Sequence, residues 1–122
     1  MPDRTPSPDV GELTPRDLKA RLDAGEPCTL LDVREDDERA YAAIAPPPGV
    51  ADVHIPLAQV AARLDQIEDA ARGRSLVVYC HHGQRSMLAA AWLARRGIAD
   101  VHNLDGGIDA WSTRVDPGVR RY

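Results

Sequence analysis

The chain has no phenylalanine, and aromatic residues make up only 4% of it. Ring packing therefore cannot organise the interior, and alanine, leucine and valine must fill any core. Cysteine is scarce as well: Cys28 and Cys80 are the whole supply, which excludes a disulfide scaffold. No run approaches the roughly 20 apolar residues of a membrane span, and the first residues lack the apolar stretch of a secretory leader. Neither a membrane partner nor export is expected, and the cytoplasm, whose reducing conditions keep a thiol free, is the default compartment. Positive charge is not in excess either, with 15 Lys+Arg against 19 Asp+Glu and a net charge of −4. The basic residues are scattered, and only Arg95-Arg96 and Arg120-Arg121 are adjacent. A phosphate footprint is missing, so no nucleic-acid partner is expected.

What remains describes one ordinary α/β domain. A chain of 122 residues suffices for a single core and not for two, and an apolar share of 43% is near the globular average. Residues 1–9 are polar and proline-rich, which predicts a flexible segment ahead of a domain over 10–122. Strand and helix patterns then alternate. Strands are predicted at Val10 to Leu13, Thr29 to Val33, Val50 to Ile55, Leu76 to Tyr79 and Val101 to Leu104. Thr14 with Pro15 opens a helix whose inward face holds Leu18 and Leu22 and which Gly25 stops. Further helices are predicted over Glu35 to Ile44, Ala58 to Ala71, Ser86 to Arg96, and from Gly106-Gly107 through Trp111. The fold class is α/β: a mainly parallel five-stranded sheet with helices on both faces. Its crevice lies at the carboxyl ends of the strands, where Arg34, Cys80 and Asp105 fall.

The chemistry concentrates in Ser75-Leu76-Val77-Val78-Tyr79-Cys80-His81-His82-Gly83-Gln84-Arg85-Ser86. An apolar strand delivers a thiol into a tight turn, and a helix starts at once. Inward backbone N–H groups and the positive end of the helix dipole both favour a thiolate, which lowers the thiol pKa below its free value of about 8.5. Gly83 supplies the positive φ that such a turn requires. The bland alternative is a buried structural cysteine at a strand end, but that role does not call for a polar, glycine-containing turn before a helix.

Cys80-His81-His82-Gly83-Gln84-Arg85-Ser86 resembles the active-site loop of rhodanese-type sulfurtransferases. Three further segments follow in the family's order. Leu30-Leu31-Asp32-Val33-Arg34-Glu35 is similar to its early strand end, and His54-Ile55-Pro56-Leu57 to its Ile-Pro region. Asn103-Leu104-Asp105-Gly106-Gly107-Ile108-Asp109-Ala110-Trp111 resembles its closing Gly-Gly and Trp segment. The likeness runs from about residue 13 to 112 and identifies the fold as a single rhodanese-like domain. It departs from the pattern over Ala43 to Val53, where Ala45-Pro46-Pro47-Pro48-Gly49 replaces a common Gly-His-Ile-Pro-Gly stretch. The tail from Trp111 to Tyr122 resembles the end of rhodanese domains fused behind adenylating enzymes, which points toward a protein sulfur-relay partner.

The resemblance implies sulfur transfer through a Cys80 persulfide, from a small donor such as thiosulfate to cyanide or a thiol, with no cofactor. Cys80 is the nucleophile it implies. The N–H groups of His81, His82, Gly83, Gln84, Arg85 and Ser86 would hold the sulfur, while Arg85 and Arg34 are the candidates to pair with a sulfonate. Asp32, Gly106 and Gly107 read as structural support, and Trp111 as core. His81 and His82 are expected at the loop rim, adding positive field when protonated, with a general-base role left open. As a metal site they are disfavoured, because neighbouring side chains splay apart and known zinc patterns space their ligands by two to five residues. Cys28 remains open as a resolving thiol. Two rivals stand beside sulfur transfer: a non-catalytic interaction module, which the presence of Cys80 argues against, and a phosphatase. Related phosphatase loops place five residues between Cys and Arg; here four intervene, His81 to Gln84, a ring that matches one sulfur better than a phosphate.

Overall fold

The computed structural model describes residues 10–122; the flexible segment expected over residues 1–9 lies outside them. Five strands, β1 (Val10–Leu13), β2 (Cys28–Asp32), β3 (Ala51–His54), β4 (Ser75–Tyr79) and β5 (Val101–Leu104), form one sheet in the order β1-β5-β4-β2-β3. Every pairing is parallel. β2 and β4 are buried along nearly their whole length, as continuous apolar strands covered on both faces must be.

The pleat sorts side chains onto two cores. Leu31, Leu76, Val78 and Cys80 face helices α3 (Leu64–Ala71) and α4 (Gln84–Arg95), packing against Ile67, Ala89, Ala90 and Leu93. Cys28, Leu30, Val77, Tyr79 and Leu104 face α1 (Pro15–Asp23) and α5 (Gly107–Arg114), against Leu18, Leu22, Ile108 and Trp111. Trp111 is core, as expected, and small aliphatic residues fill the space that phenylalanine would otherwise take. Thr14 caps α1 as predicted: its hydroxyl accepts from Asp17 N at 3.1 Å, and Asp17 returns the bond to Thr14 N.

Strand bounds shift by at most one residue from the sequence expectation, and some helical boundaries shift by more. Helix α2 (Asp36–Tyr41) stops short of Ile44 because Ala42 is extended (φ −159°), and its carbonyl accepts a 2.6 Å bond from Arg34 Nη2. The helix expected from Ala58 is two single 3-10 turns, Leu57–Gln59 and Ala61–Arg63, before α3 begins. The tighter winding aligns Leu57 and Val60, three apart, on the same core. Helix α4 starts at Gln84 rather than Ser86, so the turn after Cys80 is only three residues long. Among the described residues no helix is long and apolar enough to cross a membrane.

Candidate active site

Cys80 follows β4, the central strand, and its residue is 1% exposed. Gly83, at φ 100°, reverses the chain and is the N-cap of α4; only a residue without Cβ adopts that φ without strain. The first N–H groups of a helix have no partner within it. Two such donors are aimed at the thiol sulfur: Gly83 N at 3.1 Å and Ser86 N at 3.3 Å from Cys80 Sγ. The sulfur thus takes the place of a helix-capping group, where negative charge is favoured. Ser86 Oγ lies 3.3 Å from it.

A second helix secures the same turn from outside. Ile108 N donates to Cys80 O (2.9 Å) and Asp109 N to His81 O (3.1 Å), so the free amides of α5 hold the first two loop carbonyls. Gly107 is what lets that helix approach, since a Cβ there would sit on the carbonyl oxygens of Cys80 and His81. Gly107 therefore lies directly against the loop, beyond the simple turn that the sequence suggested, while Gly106 is the N-cap of α5. The amides that face the sulfur, Gly83 N and Ser86 N, come after these fixed carbonyls, at the start of α4.

A hydrogen-bond chain backs Ser86. Its hydroxyl donates to Asn103 Oδ1 (2.6 Å), and Asn103 Nδ2 donates to Glu12 Oε1 (2.8 Å) and Gly83 O (3.2 Å). The acceptors on the nitrogen side fix the amide orientation, because a carboxylate and a carbonyl can only accept. Burial raises the Glu12 pKa, opposed by the Asn103 bond and aided by Asp105.

The two arginines assigned to the donor are both engaged. Arg34 is fully buried, and its five N–H groups are used: Nε and Nη2 on Asp32, Nη2 on Ala42 O, and Nη1 on Glu38 O and the Tyr122 hydroxyl. It is a structural cation at the β2 end rather than a donor ligand, because a buried guanidinium must be satisfied internally. Asp32 accepts from the Arg34 backbone N–H as well as from its guanidinium. Arg85 stands beside the loop, but Nη1 and Nη2 make a fork onto Glu38 at 2.6 and 2.9 Å. That pairing holds the Glu38 carboxyl down at about 2, from an ordinary 4.5.

The histidines do not splay. His81 and His82 stack at 3.9 Å, and the other face of His81 stacks on Tyr122, also at 3.9 Å and within 9° of parallel. Burial, followed by the neighbouring His82, lowers the His81 pKa, which disfavours the positive field expected of it. His82 is 61% exposed at the rim, 3.9 Å from Asp109. His81, His82 and Asp109 place one ligand atom each within 4.8 Å of one another. The in-plane lone pairs of stacked rings run side by side, however, and converge poorly on one ion. Gln84 is exposed and lines a shallow groove with Glu12, Met87, Asn103 and Asp105.

Glu38, Tyr122 and the Asn103–Glu12 pair are the site residues that sequence reasoning missed. Glu38 read as one more acid complementing the α2 dipole, and no pattern flagged the tail tyrosine. Cys28 lies at the opposite sheet edge, paired in register with Ser75 at the start of β4. Strand ends five residues apart are about 16 Å distant, far beyond the roughly 7 Å that a disulfide allows between Cα atoms. It is no resolving partner for Cys80 in this fold.

Residues 14–114 match the family model of the rhodanese-like domain. A sulfurtransferase of Allochromatium vinosum is 33% identical over 110 residues, covering 90% of this chain and 95% of that protein. The maize protein named adenylyltransferase and sulfurtransferase MOCS3-2 is 35% identical over 119 residues, 94% of this chain. The chain spans 24% of that maize relative's length. Among solved structures, a rhodanese-related protein of Thermoplasma volcanium superposes with a TM-score of 0.71 at 26% identity, covering 93% of this chain and all of that one.

Proposed function

The chain belongs to the rhodanese-like domain family, relatives of which are named sulfurtransferases, and on that premise we propose that Cys80 carries sulfane sulfur as a persulfide. In the first half-reaction the Cys80 thiolate attacks the outer sulfur of a donor such as thiosulfate. One S–S bond forms, the donor's S–S bond breaks, and sulfite leaves with the electron pair. In the second, cyanide or an acceptor thiolate attacks the terminal sulfur and Cys80 departs as thiolate. Electrons balance within the pair of half-reactions, so no redox cofactor is required.

One observation carries this reading: two backbone N–H groups, from Gly83 and Ser86, converge on a sulfur at the start of α4. They belong to the N-terminal turn of α4, which Gly83 caps, and so need no rearrangement when charge develops on sulfur. The same cradle supports sulfur transfer over phosphate chemistry, since donors 3.1 and 3.3 Å from Sγ already enclose the sulfur closely. Intact-protein mass after exposure to donor tests it. A gain of one sulfur atom that dithiothreitol removes, present in the wild type and absent in Cys80→Ser, is expected; an unmodified mass with every donor overturns it.

A relay role with a protein partner is the second reading. It is favoured by the maize relative, in whose name a sulfurtransferase is joined to an adenylyltransferase. Transfer of radiolabelled sulfur from loaded Cys80 to a small carrier protein, rather than to cyanide alone, is its test.

A further inference from the structure

Among the described residues, three arginines around the Cys80 loop are already held by carboxylates: Arg34 by Asp32 at 2.8 Å, Arg85 by Glu38 at 2.6 Å and Arg121 by Asp109 at 3.0 Å. The edge of Arg85 that would receive a sulfonate fork-to-fork is filled by Glu38. Glu38 is not a loose surface acid. Oε1 accepts from Glu35 N (3.0 Å) as well as from Arg85, and Oε2 accepts from the Tyr122 hydroxyl (2.8 Å) as well as from Arg85. Tyr122 is in turn fixed by Arg34 Nη1 at 2.9 Å and by its stack on His81. The carboxylate stays ionised throughout the neutral range, because Arg85 holds its pKa at about 2.

A dianionic donor entering this mouth meets Arg85 already compensated and faces a fixed carboxylate. A sulfane sulfur carried on carbon-bound sulfur needs no oxyanion partner and meets no such penalty. We propose that Glu38 is a specificity-determining residue that, by occupying Arg85, selects organic persulfides over sulfonate-borne donors such as thiosulfate. The step is Cys80–S⁻ attacking the terminal sulfur of R–S–SH: the new S–S bond forms at Cys80, the donor's own S–S bond breaks, and R–S⁻ leaves to take a proton from water. The inference rests on the sulfur-transfer reading above.

The test is a donor series of decreasing sulfonate charge: thiosulfate, methanethiosulfonate, and the persulfide of 2-mercaptoethanol. Removing a charge from a half-exposed ion pair and freeing its partner predicts that Glu38→Gln raises kcat/KM for thiosulfate about five- to tenfold, mainly through KM. The gain is smaller for methanethiosulfonate and under about twofold for the persulfide, on the same grounds. Tyr122→Phe leaves both charges in place while removing one of the bonds that fix Glu38, and shifts the series in the same direction by less. It reads the contact independently should Glu38→Gln fold poorly. Equal losses on all three donors make Glu38 a purely structural prop and overturn the proposal, as does any pattern in which thiosulfate gains no more than the persulfide. A wild-type protein inert toward every donor instead overturns the underlying sulfur-transfer reading.

Discussion

Cys28 and Cys80 are both buried, at 2% and 1% exposure, and both sit at strand ends of one sheet. Their chemistry nevertheless diverges, because they occupy opposite ends of parallel strands. Cys28 opens β2, beneath α1, and burial in this apolar setting pushes its thiol up to about 11. Cys80 follows β4 at the edge where helices begin, and receives two free backbone N–H groups. Burial alone makes a cysteine inert; burial against a helix N-terminus makes it an anion site. In a parallel sheet, strand direction therefore decides which thiol can be a nucleophile.

Substitution of each cysteine gives the widest separation. Cys80→Ser should abolish sulfur transfer, while Cys28→Ser should keep kcat within about twofold and lower only the melting temperature, since a hydroxyl replaces a thiol in the core. Comparable loss of turnover in both variants would erase the distinction. Next in size is Gly107→Ala, which pushes the α5 amides off the Cys80 and His81 carbonyls. A displacement near 1 Å at a nucleophile predicts about a hundredfold loss in kcat/KM; near-wild-type kinetics would show that the loop holds itself. Ser86→Ala removes the hydroxyl that donates to Asn103 but keeps the amide on Sγ, and one lost hydrogen bond behind the loop predicts about a tenfold decrease. An unchanged rate would mean that the amides suffice.

Iodoacetamide sharpens the comparison without altering the site. At pH 8, peptide mapping should find Cys80 carbamidomethylated while Cys28, with its thiol raised to about 11, stays unmodified until the protein unfolds. Preferential labelling of Cys28 would reverse the assignment. The smallest effect is a pH dependence confined to the Cys80 end. The Glu38 carboxyl is depressed in the fold, from 4.5 to about 2, by Arg85. Its stabilising contribution is thus complete above pH 4.5 and fades as pH falls toward 2. The urea midpoint of wild type should exceed that of Arg85→Ala near pH 7, and the gap should narrow steadily below pH 4.5. A gap that is constant with pH would remove the ion pair from the explanation.

Strands and loop were legible because their signals are local. The apolar run Leu76 to Tyr79, the turn at Gly83 and the cap at Thr14 each act within a few residues, and the structure has all three. The fate of the arginines was not legible. Arg85 finds Glu38 across 47 positions and Arg34 finds Tyr122 across 88. Such partners depend on which strand ends the topology gathers, and composition cannot show that an arginine beside a thiol is already occupied. The stacking of His81 on His82 was hidden for a related reason, since Tyr122 from the tail closes the far side of the stack.

The grip of α5 on the Cys80 and His81 carbonyls has a kinetic meaning. In water, each arrival or departure of charge on sulfur would reorient a shell of dipoles, and that reorganisation is part of the activation barrier. Here the two N–H groups nearest the sulfur sit at the N-terminus of α4, and the two carbonyls that open the loop are bolted to α5. In the proposed transfer cycle these donors need not turn when sulfur is loaded or released. The cycle can then move a single atom through a frame that stands still, and the motion needed for turnover is left to the groups at the mouth, where donor and acceptor exchange places.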